Sequence, residues 1–221
     1  MKQIQIIVLF SSLLFLLSCS KEEIRIACVG DSITEGYGLA VQSKTGYPVV
    51  LDSILGGGYS AINLGRSATT LQKHGDFPYW IAKEFSDVFA VAPNIIVIKL
   101  GTNDTKPNNW NQLNYKADYQ SMIDTFKTIS TNPKIYLCYP APVFETKWGI
   151  NDSTVANGVI PVIDELAKSN NLQVIDLYQG MKNQGTNFPD GIHPNEEAVA
   201  QMASIIAQTI AGKGKDCCNS K

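Results

Sequence analysis

Five short stretches limit what this chain can fold into. They are "IRIACVG" at 24–30, "SAINLG" at 60–65, "NIIVIKLG" at 94–101, "KIYLCYP" at 134–140 and "LQVIDLY" at 172–178. Within them apolar, often β-branched residues follow one another and do not alternate with polar ones. A strand with one wet face alternates. A strand covered on both faces reads as a continuous apolar run, which is the habit of parallel sheets packed between helices.

The segments between the runs have helical spacing. "YPVVLDSILGGG" places Pro48 near a helix start and glycines past its end. Tyr115, Tyr119, Met122, Ile123 and Phe126 share one helical face. Val155, Val159, Ile163 and Leu166 share another, which Pro161 must kink or start. The last helix opens after Asn195, a good N-cap, with Glu196 and Glu197 in its first turn. Five such βα units predict one doubly wound α/β domain over 24–212. A chain of 221 residues, 44% hydrophobic and 17% charged, can bury the core of such a domain without staples. The net charge of −2 and the lack of a Lys/Arg cluster argue against a nucleic-acid partner.

The ends read differently. Lys2 precedes an apolar stretch from Ile4 to Leu17, too short to span a bilayer comfortably and laid out as a secretory signal over 1–18. "LLSC" at 16–19 resembles the lipobox of bacterial lipoproteins, which implies a lipidated Cys19, a short tether over 19–23 and a membrane held through that anchor. "SKEE" after it resembles the surface-export signal of Bacteroidetes lipoproteins, so the expected location is the outer membrane, on its outward face if that resemblance holds and on its periplasmic face otherwise. An ordinary cleaved signal with an unmodified Cys19 is the alternative. The polar tail 213–221, with Cys217 and Cys218, reads as disordered. Cys28 and Cys138 sit in apolar runs as buried free thiols, and no His/Cys spacing indicates a metal.

In a doubly wound sheet the ligand site lies beyond the carboxyl ends of the strands. Asp31 and Ser32 follow the first run, Gly65 ends the second, and "GTND" follows the third. "DGIHPN" at 190–195 lies between the last strand and the last helix. A serine hydroxyl needs a base to become a nucleophile. The chain has two histidines: His74 in a loop, and His193, with Asp190 three residues earlier to orient it. The tetrahedral intermediate of acyl transfer needs donors for its oxyanion. The Ser32 N–H, the Gly65 N–H and the Asn103 amide are candidates. Asp31 reads first as a helix cap, and Asp104 as a brace for the loop carrying Asn103. A glycosidase pair made of Glu35 with Asp31 or Asp104 can be imagined, but it leaves Ser32, Asn103 and His193 without a task.

"GDSITEG" at 30–36, "NLGRS" at 63–67, "GTND" at 101–104 and "DGIHPN" at 190–195 together resemble the SGNH (GDSL) hydrolase family. The resemblance covers nearly all of the chain from Cys28 to the last helix. It implies a three-layer α/β/α, flavodoxin-like fold with strand order 2-1-3-4-5, and a serine esterase that needs no cofactor. It assigns Ser32 as nucleophile, His193 as base and Asp190 as its partner, with Ser32, Gly65 and Asn103 forming the oxyanion hole. The implied strand order puts one strand between Cys28 and Cys138 and so forbids a bridge between them.

The expected substrate is an acylated glycan or small molecule. Trp80, Trp110 and Trp148 fall in loops after strands two, three and four, beside Arg66 and other polar groups. Flat aromatic faces beside hydrogen-bonding groups suit sugar rings, and no Leu/Ile/Phe-rich loop is present to cover a long acyl chain. "KHGDFPYW" and "GTNDTKPNNW" also resemble carbohydrate-acting members of the family. The reading is removal of short acyl groups, acetyl above all, from carbohydrate. A short-chain lipid esterase or thioesterase with the same residues, and an inactive glycan-binding lipoprotein, are the alternatives.

Overall fold

The structure is a computed structural model and describes residues 22–212. The expected signal peptide, the lipidated Cys19 and the tail with Cys217 and Cys218 lie outside the described residues.

Five parallel strands form one sheet in the order β2-β1-β3-β4-β5. They are β1 (Ile24–Gly30), β2 (Tyr59–Gly65), β3 (Ile95–Lys99), β4 (Lys134–Tyr139) and β5 (Gln173–Asp176). The flanking helices include α1 (Ser32–Glu35), α2 (Tyr47–Leu55), α3 (Lys83–Val91), α4 (Gln112–Lys127), α5 (Ile160–Asn170) and α6 (Glu196–Ile210).

Strand β3 shows why the apolar runs are continuous. Ile96 and Ile98 belong to a core shared with Tyr115, Tyr119 and Phe126 of α4 and Ile163 of α5. Ile95 and Val97 belong to the opposite core, with Leu51 of α2 and Met202 and Ile206 of α6. Successive side chains therefore enter different helical layers, and both layers are dry. Each fully buried Ile or Leu contributes roughly 1.5–3 kcal/mol relative to exposure.

One element departs from the sequence reading, and one settles the choice it left open for Pro161. The fifth strand stops at Asp176, because that side chain accepts a hydrogen bond from Gln179 N at 2.8 Å and caps a short helix, Leu177–Met181. Val155–Val159 form a wide π turn ahead of α5, and Pro161 lies in the first turn of α5, where its missing N–H costs least. Cys28 and Cys138 are buried free thiols in β1 and β4, on either side of β3. Burial pushes the Cys28 thiol up to about 12. No helix among the described residues is long and apolar enough to cross a membrane.

The register positions the site. Gly30 at the end of β1 lies opposite Gly65 of β2 and Lys99 of β3. The three strands stop level with one another, so the loops that follow them open onto a common edge.

Candidate active site

Strand β1 ends in Gly30 because nothing larger fits: a Cβ there would strike the side chain of Thr34 and the Lys99 carbonyl. The chain then turns directly into α1. Asp31, fully buried, caps the helix by accepting from Ile33 N at 3.0 Å. Ser32 is the first helical residue, and an N–H in a first turn has no intrahelical acceptor. The hydroxyl and N–H of Ser32 therefore stand together at the sheet edge.

Far along the chain, Asp190 folds its own segment back into a turn. Its Oδ1 accepts from the main-chain N–H groups of Ile192 (2.9 Å) and His193 (2.7 Å). Its Oδ2 lies 2.6 Å from His193 Nδ1, and His193 Nε2 lies 2.9 Å from Ser32 Oγ. A carboxylate can only accept, so Nδ1 carries the proton and Nε2 is left to accept from the Ser32 hydroxyl. Burial works to raise the Asp190 carboxyl; the bonds from His193 and Ile192 outweigh it and hold the group below its ordinary value. Asp190 stays ionised at neutral pH, which suits a group that holds an imidazole through its Nδ1–H.

Asn103 follows β3 in a short 3₁₀ turn and is 4% exposed. Its amide nitrogen donates to Thr69 O at 3.1 Å, leaving the second amide hydrogen for the cavity. Asp104 braces this loop, accepting from Leu71 N and Gln72 N at 2.9 Å each. Burial pushes the Asp104 carboxyl up to about 6, against the pull of these bonds.

Ser32, His193 and Asn103 open into a cavity of about 350 Å³. Its apolar wall is Ile150 and Ile192, and its rim carries Tyr37, Lys106 and Trp148. Tyr37 stacks on the His193 ring with centroids 4.6 Å apart, and the Trp148 ring lies 6.0 Å from it. Trp148 is 56% exposed and sits in a two-residue turn with Gly149, at φ 53° and 83° respectively. A bulky side chain at positive φ is strained, and such strain concentrates at functional sites.

Four residues expected in the site are elsewhere. Gly65 does not line the cavity, and its N–H donates to Asn63 Oδ1 at 3.0 Å. It is glycine for close packing, because a Cβ would land on the backbone of Thr34 and Glu35. The free N–H on that loop belongs to Ala68, a cavity residue at φ 66° whose N–H meets no acceptor among the described residues. Glu35 holds the loop in place by accepting from Ser67 N at 2.9 Å and from the Ser67 hydroxyl. Trp80 donates to Leu71 O at 2.8 Å and packs on Phe85, while Trp110 packs on Tyr115 and Gly158. Both indoles cover core and not cavity. Arg66 is exposed and lies in a neighbouring groove.

Lys99 was missed. It is the one charge in the β3 run, fully buried, with Nζ 2.8 and 3.0 Å from the Asp31 oxygens and 3.3 Å from Thr102 Oγ1. It ties the turn carrying Ser32 to the loop carrying Asn103. Removing one member of such a pair strands a buried charge. Lys99→Met should therefore cost roughly 3–5 kcal/mol in chemical denaturation, and Asp31→Asn/Lys99→Met much less. Equal losses in the two variants would show that packing, not charge, is what Lys99 supplies. The carboxylates of the imagined glycosidase pair are thus all engaged: Asp31 by Lys99, Glu35 by Ser67, and Asp104 by the loop backbone.

The model of the GDSL-like lipase/acylhydrolase family matches residues 28–200. The chain belongs to this family of ester hydrolases. Among known proteins it is 41% identical over 209 residues to an acetylxylan esterase of Xylanibacter ruminicola, across 86% of this chain. It spans 44% of that protein's length. A carbohydrate acetylesterase from Sinorhizobium meliloti superposes with a TM-score of 0.71 at 20% identity, over 86% of this chain and 100% of that one. An aryl esterase of M. smegmatis superposes at 0.67 with 22% identity, over 86% and 99%. These likenesses bear out the α/β fold with strand order 2-1-3-4-5. Three of the blocks that resemble the SGNH family stand at the level ends of β1, β2 and β3, and the fourth, at 190–195, precedes α6.

Proposed function

We propose that this chain hydrolyses short acyl esters, acetyl above all, on carbohydrate through an acyl-enzyme on Ser32. The observation that carries this reading is the Ser32–His193–Asp190 hydrogen-bonded chain at a cavity that Asn103 also lines.

Ser32 Oγ attacks the ester carbonyl carbon as His193 Nε2 takes its proton. The carbonyl oxygen becomes an oxyanion facing the N–H groups of Ser32 and Ala68 and the Asn103 amide. Asp190 holds the ring and offsets its new charge. Collapse of the intermediate breaks the bond to the sugar oxygen, which leaves with the proton from His193. Water then gives a proton to His193 and attacks the acyl carbon. Ser32 departs with that proton, and the carboxylic acid is released. The short acyl group fits beside Ile150 and Ile192, and the rim of Tyr37 and Trp148 offers aromatic faces to the sugar. The relative at 41% identity, an acetylxylan esterase, supports the same substrate class.

The test is a p-nitrophenyl ester series of rising chain length, with mass spectrometry of acid released from acetylated polysaccharides. Acetate from the glycans and a steep fall with chain length are expected. Rates that rise toward long acyl chains, with no acetate released, would replace the reading with a lipid esterase.

A further inference from the structure

A second groove, of about 200 Å³, adjoins the catalytic cavity, and Ser67 and Ala68 line both. Its other wall is Phe77, Pro78 and Ile81. Phe77 is 60% exposed and Ile81 83%, while their neighbour Tyr79 is fully buried. Exposed apolar groups clustered at a cavity's edge mark contact surfaces more often than scattered ones do. Arg66 also lies in this groove, and its guanidinium has no hydrogen-bond or ion-pair partner among the described residues.

The groove is held rigid and in fixed relation to the reacting centre. Phe77 O accepts from Thr70 N at 2.8 Å, and Thr70 O from Tyr79 N at 2.9 Å. Asp76, next to Phe77, accepts from Asn109 Nδ2 at 2.8 Å and from Lys106 Nζ at 2.9 Å. The same Asn109 amide donates to the Asn103 carbonyl at 3.0 Å. One side chain thus couples the segment bearing Phe77 to the backbone of the residue that faces the oxyanion. A surface ordered before the ligand arrives loses little entropy on binding.

We propose that this groove is a second sugar subsite, taking the pyranose adjacent to the acylated one in a polysaccharide chain. Its chemistry fits that occupant. A pyranose presents an apolar C–H face to Phe77 and Ile81, and ring hydroxyls to the Arg66 guanidinium, a fixed fork of donors. The shared wall at Ser67 and Ala68 makes the path from groove to Ser32 continuous, as a linked pair of sugars requires. The inference rests on the carbohydrate-ester reading and adds to it that the enzyme acts on a chain, not on a single sugar.

The test compares wild type, Phe77→Ala and Arg66→Gln on p-nitrophenyl acetate, a monoacetylated xyloside and acetylated xylo-oligosaccharides. Wild type should prefer the oligosaccharides over the single sugar. Phe77→Ala should lower kcat/KM on oligosaccharides roughly tenfold, the scale of losing one aromatic face from an apolar contact. Arg66→Gln should lower it by a smaller factor. On the other two substrates both variants should match wild type. Equal losses of Phe77→Ala on all three substrates would show a distorted loop and overturn the subsite, as would unchanged oligosaccharide rates. A wild type that cleaves p-nitrophenyl acetate but neither carbohydrate ester would overturn the substrate reading itself. A wild type that cleaves both carbohydrates equally well would overturn the subsite alone.

Discussion

Ser32→Ala is expected to lower kcat by roughly 10⁵–10⁶ while leaving the protein folded. The hydroxyl is the end of the hydrogen-bonded chain from which the proton is drawn, and so the group that takes the acyl in this mechanism. Without it, water must attack the ester directly, helped only by the oxyanion donors. His193→Ala should cost nearly as much, because the Ser32 proton then has no acceptor at 2.9 Å. The double variant should be little worse than either, since each change disables the same step. Stability should barely move: alanine is a good first-turn residue, and the Asp31 cap to Ile33 N remains. Single-turnover assays with a chromogenic acetyl ester, alongside thermal melts, read both quantities. A Ser32→Ala enzyme with near-normal kcat and an unchanged melt would remove Ser32 from the chemistry. A variant that lost activity by unfolding would leave His193→Ala to decide, because that ring lies at the cavity edge and not in either helical core.

The sheet was legible because burial on both faces leaves a mark that polar residues cannot mimic. β3 shows it, with successive side chains entering opposite cores. Ser32 and Asn103 were legible because their chemistry resides in side chains placed just after strands, and Asp190 and His193 because a carboxylate and an imidazole stand three residues apart ahead of the last helix. Where function resides in the backbone, the letters are ambiguous. A glycine after a strand can expose an N–H or let another segment approach, and Gly65 does the second. Ala68 does the first, yet nothing in an alanine signals a positive φ or an unpaired N–H. The tryptophans failed for a related reason. Loop position does not tell which way a ring faces, and two of the three indoles face core. Lys99 is different: a lone charge in a strand buried on both faces demands a counter-charge, and Asp31 was within reach of that argument.

Asn103→Ala is expected to lower kcat by roughly 10²–10³ with a much smaller change in KM. The ester carbonyl carries little charge when the substrate binds, so the amide does little for the ground state. Charge develops as Ser32 attacks, and the donor's contribution appears only then. The loop should hold its place in the variant. Asp104 still accepts from Leu71 and Gln72, and the Asn103 carbonyl still accepts from Asn109. One cost will appear in stability. The Thr69 carbonyl loses its donor at 3.1 Å in a buried place, a penalty of about 1–3 kcal/mol. The two effects separate by measurement. Denaturant melts report the lost bond to Thr69, and kcat corrected for the folded fraction reports the lost bond to the oxyanion. Steady-state kinetics on an acetyl ester, at a denaturant-free temperature well below the melt, supply the second number. A variant with unchanged kcat and a raised KM would place Asn103 in substrate binding, leaving the backbone N–H groups of Ser32 and Ala68 as the whole of the oxyanion site.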